Sequence, residues 1–423
     1  MTSHFRHLAP AGAPITAADL AAAASRLALS EDPRDELRKL ICRRFAVPHA
    51  VVTSTGRAGM TLLLRAMRHL APAHKTEVVL PSYTCYSLAA STVKAGLRPR
   101  LVDISPRTLD FDRSALDRTD FSRVLAIVAT NLFGLPNDLP ALTARAKAEN
   151  VFLIDDAAQS MGATIAGRAS GTWGDAGLFS FDKGKPVSAI DGGVVVARSR
   201  DLGATIEREA ATLAEPHLTD STLHLVKMAA YVALLPPRRY WIPQRIPFLG
   251  LGRTEFTTDY PVERLGRLLA AVALSALDHL EEYSSIRATR AAEILAGLDG
   301  VDGVERVEPH QSARATYLRV PVLVDTDART AAVDTLNRSG VGASCSYPAS
   351  LADVPELRAH LVDADAPVPG GRSVASRIIT LPAHPFVTSA DASAMASTLA
   401  GALAHVSRSG ARQRRKANPI CVA

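Results

Sequence analysis

The chain is poor in sulfur, in long apolar runs and in repeated motifs, and each shortage removes a class of protein. Its four cysteines (Cys42, Cys85, Cys345 and Cys421) are scattered over 423 residues. No pair stands at metal-ligand spacing and nothing ahead of them reads as a secretory signal, so no metal is expected and a reducing cytoplasm is the expected location. The cysteine of Ile420-Cys421-Val422-Ala423 is third from the end, not fourth as prenylation requires, so no lipid anchor is expected. The most apolar stretch, Met228 to Leu235, is far shorter than the roughly 20 residues that cross a bilayer, and no membrane span is expected. No Gly-x-Gly-x-x-Gly follows an early strand, which argues against a plain nucleotide-binding α/β protein. No internal repeat is found.

Net charge is also scarce outside one place. Forty-eight basic against 42 acidic residues leave +6. Arg408, Arg412, Arg414, Arg415 and Lys416, in a final stretch without acids, account for all but one of that excess. A basic run without interleaved aromatics or an apolar face is a solvated tail, so no nucleic-acid partner is expected and the chain after about Val406 is predicted to be disordered. With 47% hydrophobic and 21% charged residues, the composition is that of a globular protein. Its length exceeds what one core fills, so two domains are expected.

What is present is a rhythm. Thr16-x-x-Asp19 and Asp32 open two helical patterns that form an N-terminal arm over 1–45. Short β-branched runs then alternate with helical stretches: Val51-Val52, Val78 to Leu80, Arg100 to Val102, Val124 to Ala129, Val151 to Ile154 and Val194 to Val196. That is the pattern of an α/β domain with a mainly parallel sheet, spanning 46–260. Residues 200–260 break the rhythm and read as an insertion that covers a site or a subunit contact. A long helical pattern from Val262 to about Leu298 leads into a smaller α+β domain, 261–405, with a strand from Tyr317 to Val324.

Four local patterns carry chemistry. Thr55-Gly56-Arg57-Ala58-Gly59 lies between a strand and an apolar helix, and a small-residue turn there offers backbone N–H groups at the positive end of the helix dipole to a phosphate. The run from Val151 ends in Asp155-Asp156-Ala157-Ala158-Gln159. Ligands of an open α/β sheet sit outside the carboxyl ends of its strands, so one aspartate is placed for function and the other is free to cap a helix. A buried anion suits a protonated pyridine nitrogen acting as an electron sink. In Phe179-Ser180-Phe181-Asp182-Lys183-Gly184-Lys185, followed by Asp191-Gly192-Gly193, a serine and a lysine can reach the phosphate and the aldehyde of one pyridoxal phosphate (PLP), and the two lysines compete for the aldehyde. Pro81-Ser82-Tyr83-Thr84-Cys85-Tyr86 offers rings that stack on a pyridine face.

In this order the motifs resemble the DegT/DnrJ/StrS family of PLP-dependent sugar aminotransferases, fold type I, from about Pro14 to Leu403. Thr55 to Gly59 aligns with the family's Ser-Gly-Thr-Ala-Ala, Asp155 to Gln159 with its Glu-Asp-Ala-Ala-Gln-like stretch, and Ser180 to Lys185 with Ser-Phe-x-x-x-Lys. Asn131 to Pro136 resembles its His-Leu-Phe-Gly-Gln-Pro turn, and Leu381-Pro382-Ala383-His384-Pro385 its C-terminal signature. The resemblance implies an aspartate-aminotransferase-like α/β fold, PLP as cofactor and a homodimer. It implies Lys185 as the Schiff-base lysine and proton carrier, Asp156 on the pyridine nitrogen, Gln159 near the ring hydroxyl, and Ser180 with the Gly56-Arg57 backbone on the phosphate. Sugar dehydratases of the family carry histidine where Lys185 stands, so the implied reaction is amino transfer, from glutamate to a keto group of a nucleotide-linked sugar or related intermediate.

The sequence departs from the family at four places. Val262-Glu263-Arg264-Leu265 aligns with Asn-Tyr-Arg-Met, whose asparagine reaches the phosphate of the neighbouring subunit, a bond valine cannot make; Arg264 is expected at the substrate. The family's stacking aromatic falls on Cys85, leaving Tyr86 or Tyr83 to replace it. Arg57 takes the place of a threonine. Arg238 and Arg239, between Pro236-Pro237 and Tyr240-Trp241, are expected to bind a substrate diphosphate or carboxylate. These departures leave open a PLP enzyme of another reaction type, decarboxylation or carbon–carbon bond formation, and a noncatalytic PLP-binding regulator.

Overall fold

A computed structural model of the chain describes residues 6–28, 31–245 and 255–416. The arm carries α1 (Ala17–Ala28) and α2 (Pro33–Phe45). Thr16 and Asp19 cap each other reciprocally, backbone N–H to side chain. Asp32 accepts the Arg34 N–H, with Pro33 at the first helical position where its missing donor costs nothing.

The large α/β unit follows in alternation: β1 (His49–Thr53), α3 (Gly56–Leu70), β2 (Glu77–Pro81), α4 (Tyr86–Lys94), β3 (Arg98–Val102), a short α5 (Arg113–Asp117) and β4 (Val124–Thr130). Then come α6 (Leu139–Ala148), β5 (Phe152–Asp156), the small pair β6 (Thr164–Ile165) and β7 (Arg168–Ala169), β8 (Ala176–Ser180) and β9 (Gly193–Ala197). Seven strands form one sheet in the order β1-β9-β8-β5-β4-β2-β3. The pairs from β3 to β8 are parallel, and β9 runs antiparallel to both β8 and β1. All seven residues of β4 are buried, as expected of a strand covered on both faces.

Successive strand residues point to opposite faces, and the two faces have different covers. Leu178 and Val195 join α3 and α4 in one core. Phe179, Phe181, Val194 and Val196 join the arm and the helix Arg267–Asp278 in another. Each buried aliphatic side chain contributes about 2 kcal/mol. The smaller unit packs the helices Leu280–Gly297, Thr326–Arg338 and Ser389–Lys416 on an antiparallel sheet of Val304–Arg306, Arg319–Val324 and Ile378–Pro382.

Three expectations are corrected. Helix α7 (Arg200–Ala211) buries Leu202 and Ile206 in the core beside α3, so the start of the 200–260 segment is sheet-covering structure rather than insertion. The single helix expected from Val262 is two helices, broken at His279 and preceded by extended chain. Ser54 N–H donates to the Glu263 carbonyl and Arg264 N–H to the Ala214 carbonyl, and such tertiary pairing is invisible to periodicity. The last helix runs to Lys416, past Val406, where disorder was predicted. Its alanine- and arginine-rich sequence propagates a helix whose costly first turns are packed on the body.

Candidate active site

The carboxyl ends of β4, β5 and β8 open onto a cavity of about 710 Å³, in the crevice where sheets of this kind bind ligands. Thr130, Asp156 and Ser180 enter it from the strand ends, and Gly56, Arg57 and Met60 from α3. Asp182, Lys185 and Asp191 enter from the loop between β8 and β9.

Strand alternation separates the two aspartates. Asp155 is fully buried and accepts hydrogen bonds from Gly171 N–H (2.7 Å), Trp173 N–H (3.1 Å) and the Asn131 amide (2.8 Å). Asp156, on the opposite face, lines the cavity and among the described residues accepts only the Ala158 N–H, at 3.0 Å. Burial pushes each carboxyl up to about 6, against which Lys185 pulls Asp156 down. Asp155 therefore fixes structure, and Asp156 keeps an acceptor for a ligand.

The two lysines are also separated. Lys185 is half-buried and lines the cavity. Lys183 is exposed, and its carbonyl accepts the Tyr231 hydroxyl at 3.0 Å, which ties the loop to the body. Beyond Lys185 lies Asp191, half-buried, its carboxyl pushed up by desolvation and by the charge of Asp182.

Helix α3 presents its N-terminus to the cavity. Thr55 caps it by accepting the Ala58 N–H at 2.9 Å, leaving the amides of Gly56 and Arg57 at the positive end of a 15-residue helix. A Cβ on Gly56 would stand 3.3 Å from Cβ and Oγ of Ser180, so only glycine leaves a comfortable gap between serine and helix. The Arg57 guanidinium lies 4.7 Å over the Tyr260 ring, whose hydroxyl meets Thr61 and Ser91.

Gln159 also lines the cavity, with both ends of its amide engaged. It accepts the N–H of Phe133 (3.0 Å), a residue held at φ 56° by the Asn131–Pro136 turn, and donates to the Tyr347 hydroxyl (2.9 Å). In the same turn Asn131 bonds the Asp155 carboxylate and the Asp156 carbonyl, and Gly134 accepts the Thr316 N–H of the C-terminal unit.

Five expected site residues are not brought there. Tyr86 is buried away from the cavity, its hydroxyl between the N–H and the carbonyl of Ala349. Tyr83 is buried edge-on to Tyr347. Cys85, capping α4, faces the cavity instead; the turn into the helix, which motif alignment does not encode, decides which side chain points in. Arg238 and Arg239 are exposed and outside the cavity lining, Arg239 donating to the Ala233 carbonyl. Arg264 is held by Glu215 and the Ala211 carbonyl, also outside it. Conversely Thr130, Glu255 and Thr257 line the cavity and were not singled out. Of these only Thr130 had a signal, standing directly after a predicted strand that ended at Ala129.

The cavity fits the cofactor that the resemblance implies. Among the described residues Thr130 Oγ1, buried in its wall, has no hydrogen-bond partner, Asp156 has a carboxylate to offer a ring cation, and the gap at Gly56 admits an anion. Among the described residues no group of histidine, cysteine and carboxylate side chains could hold a metal.

The model of the DegT/DnrJ/EryC1/StrS aminotransferase family matches residues 20–400. The chain is 30% identical over 208 residues to the GDP-perosamine synthase of Caulobacter vibrioides, covering 49% of this chain and 50% of that protein. It is 34% identical over 157 residues to the UDP-N-acetyl-3-dehydro-α-D-glucosamine 3-aminotransferase of Acidithiobacillus ferrooxidans, 37% of this chain and 42% of that one. The matched stretch thus spans half or less of the length of these curated relatives. The aminotransferase TlmJ from Streptoalloteichus hindustanus shares the fold, with a TM-score of 0.76 at 23% identity over 95% of this chain and 100% of that one. The architecture is PLP fold type I, and with the family's model matched over nearly its whole length, the chain belongs to the DegT/DnrJ/EryC1/StrS aminotransferase family.

Proposed function

We propose that the chain is a PLP-dependent aminotransferase that moves an amino group, with glutamate as donor, onto a keto group of a nucleotide-linked sugar or a related biosynthetic intermediate. The observation that carries this reading is that Lys185 and Asp156 line one cavity whose remaining wall includes a helix N-terminus and Ser180. The names of the two relatives above support a nucleotide-linked sugar as acceptor.

PLP, when bound, supplies the electron sink that makes a substrate C–H bond acidic. Asp156 holds a negative charge at the ring-nitrogen end, because a carboxyl pushed only to about 6 is still mostly ionised at neutral pH. The amides of Gly56 and Arg57 and the Ser180 hydroxyl hold and orient the phosphate end. Desolvation and the charge of Asp182 push the Asp191 carboxyl up, which favours its neutral form and softens the negative field next to an anion. Lys185 Nζ would hold the aldehyde end of the cofactor and would carry the proton on and off the substrate carbon. We assign Gln159, through its bonds to Phe133 and Tyr347, to orienting the edge of the ring. A homodimer working in the cytoplasm completes the proposal, as the family resemblance implies.

The test is a single-turnover reaction of the PLP-loaded chain with glutamate. One equivalent of 2-oxoglutarate should form without carbon dioxide, and the aminated protein should then convert one of a panel of nucleotide-linked keto sugars, read by mass spectrometry. Carbon dioxide release, or no amino transfer from any donor, would sink the reading.

A further inference from the structure

Helix α8 (Leu218–Leu234) packs by one side only. Met228 is buried, and Tyr231 and Val232 lie against the core made by the arm and Arg267–Asp278. The other side shows Leu223, Leu225 and Val226 at 49%, 57% and 60% exposure, with Ala229, Ala230 and Ala233 also exposed. An outward helix face is ordinarily polar, and an apolar one rimmed by charge marks an interaction surface. The turn that follows adds exposed Ile242, and the Arg245 guanidinium stands 5.1 Å over the Trp241 ring.

The charge on this strip has one sign. From Ser221 to Arg245 the sequence holds Lys227, Arg238, Arg239 and Arg245 and no aspartate or glutamate, although the chain as a whole is close to balanced. All four cations are exposed. The strip is also fixed to the body: the Tyr231 hydroxyl bonds the backbone of Ala13 and Lys183, and His7 N–H donates to the Pro237 carbonyl.

We propose that this strip docks the protein on the surface of an anionic lipid bilayer. Its leucines, valine and isoleucine enter the boundary between headgroups and acyl chains, and its four cations meet lipid phosphates. No helix among the described residues is long and apolar enough to cross a membrane, so the contact is a surface one. A second copy of the chain is the poorer occupant. A two-fold interface presents the same patch from both sides, which would set four cations against four with no acid in the strip to answer them. An anionic surface supplies the missing charge. The contact would act close to the chemistry, since α8 is bonded through Tyr231 to Lys183, two residues from Lys185.

The test is co-sedimentation of the full PLP-loaded chain with vesicles of phosphatidylglycerol and phosphatidylcholine in equal parts, against phosphatidylcholine alone. Binding should need phosphatidylglycerol and weaken as salt rises. Arg238→Gln with Arg239→Gln should weaken it about thirtyfold, at roughly fivefold per charge, and Leu225→Ser with Val226→Ser should abolish it. Both pairs are exposed, so unchanged thermal melts are expected. Arg118→Gln with Lys147→Gln, exposed and outside the strip, should bind as the native chain does, and so should a chain ended after Ser407. Equal binding to phosphatidylcholine, native-like binding by either strip variant, or loss of binding on removing the tail overturns the proposal. So does conversion of a dimer to a monomer by the Leu225 and Val226 changes, read by light scattering, which would make the face a contact between copies.

Discussion

The floor of the cavity and the strip from Ser221 to Arg245 are joined through the loop after β8, where the Tyr231 hydroxyl bonds the Lys183 carbonyl, yet they are held in opposite ways. Asp156 and Ser180 end strands packed on both faces, and their neighbours in sequence are buried on the other side. The strip is packed on one side and open on the other. A residue at a doubly covered strand end has its direction dictated by the pleat, so its role can be assigned from its place in a motif. A residue on a one-sided helix takes its role from whatever covers the open side.

The largest expected effects test whether the cavity assignments are that sharp. Lys185→Ala should slow the glutamate half-reaction on the order of a thousandfold or more, whereas Lys183→Ala should leave it near native. Borohydride reduction of the PLP-treated chain should label the peptide holding Lys185, and a label on Lys183 would mean the wrong lysine had been chosen. Asp156→Asn keeps shape but removes charge, and should cost about a hundredfold in the same half-reaction.

Asp155→Asn should act on stability instead. It sets amide hydrogens against the N–H groups of Gly171 and Trp173, and denaturant melts should show a loss of about 3 kcal/mol. If Asp155→Asn were the slow enzyme and Asp156→Asn the unstable one, the register of β5 would be wrong by one.

His384 offers a pH test of the C-terminal signature. The ring is buried, donates to the Ala9 carbonyl from Nε2 and accepts the Phe386 N–H at Nδ1, so it must be neutral. Burial lowers its pKa to about 4. The unfolded chain takes up the proton first on acidification, so this group's stabilisation is present above about 6.5 and is lost as pH falls towards about 4. Asp155 and Asp156 act in the opposite sense, stabilising as pH falls through about 6, because their folded values are raised. The informative quantity is therefore native chain minus His384→Gln, and that difference should shrink between pH 6.5 and 4. A difference constant with pH would show that His384 does not carry the slope.

The smallest expected effect is at Tyr86. Replacing it with Phe removes its bonds to the Ala349 backbone, and should cost about 1 kcal/mol of stability with the PLP spectrum and half-reaction unchanged. A shifted PLP spectrum would restore Tyr86 as the stacking ring.

The parts of the molecule legible in the amino-acid order are those whose geometry is local. Short apolar runs placed β1 to β5 and β9 but not β8, whose Phe179-Ser180 reads in sequence as part of a turn; the Thr16–Asp19 and Asp32 signals placed the arm helices, and the motifs at 55–59, 155–159 and 180–185 held residues that line the cavity. In each case the backbone period or a cap controls where a side chain points. Contacts between distant segments were not legible there. The pairing of Glu263 and Arg264 with Ser54 and Ala214 turned an expected helix into extended chain. The turn into α4 sent Cys85 to the cavity and Tyr86 to Ala349, and Glu255 and Thr257 reached the cavity wall from a segment without a motif. Such contacts depend on which surfaces meet after the elements form, and one strand of sequence carries no period that reports it. The open side of α8 is the same lesson in reverse: its apolar residues were visible in the sequence as a helix, but only the packed structure left them uncovered.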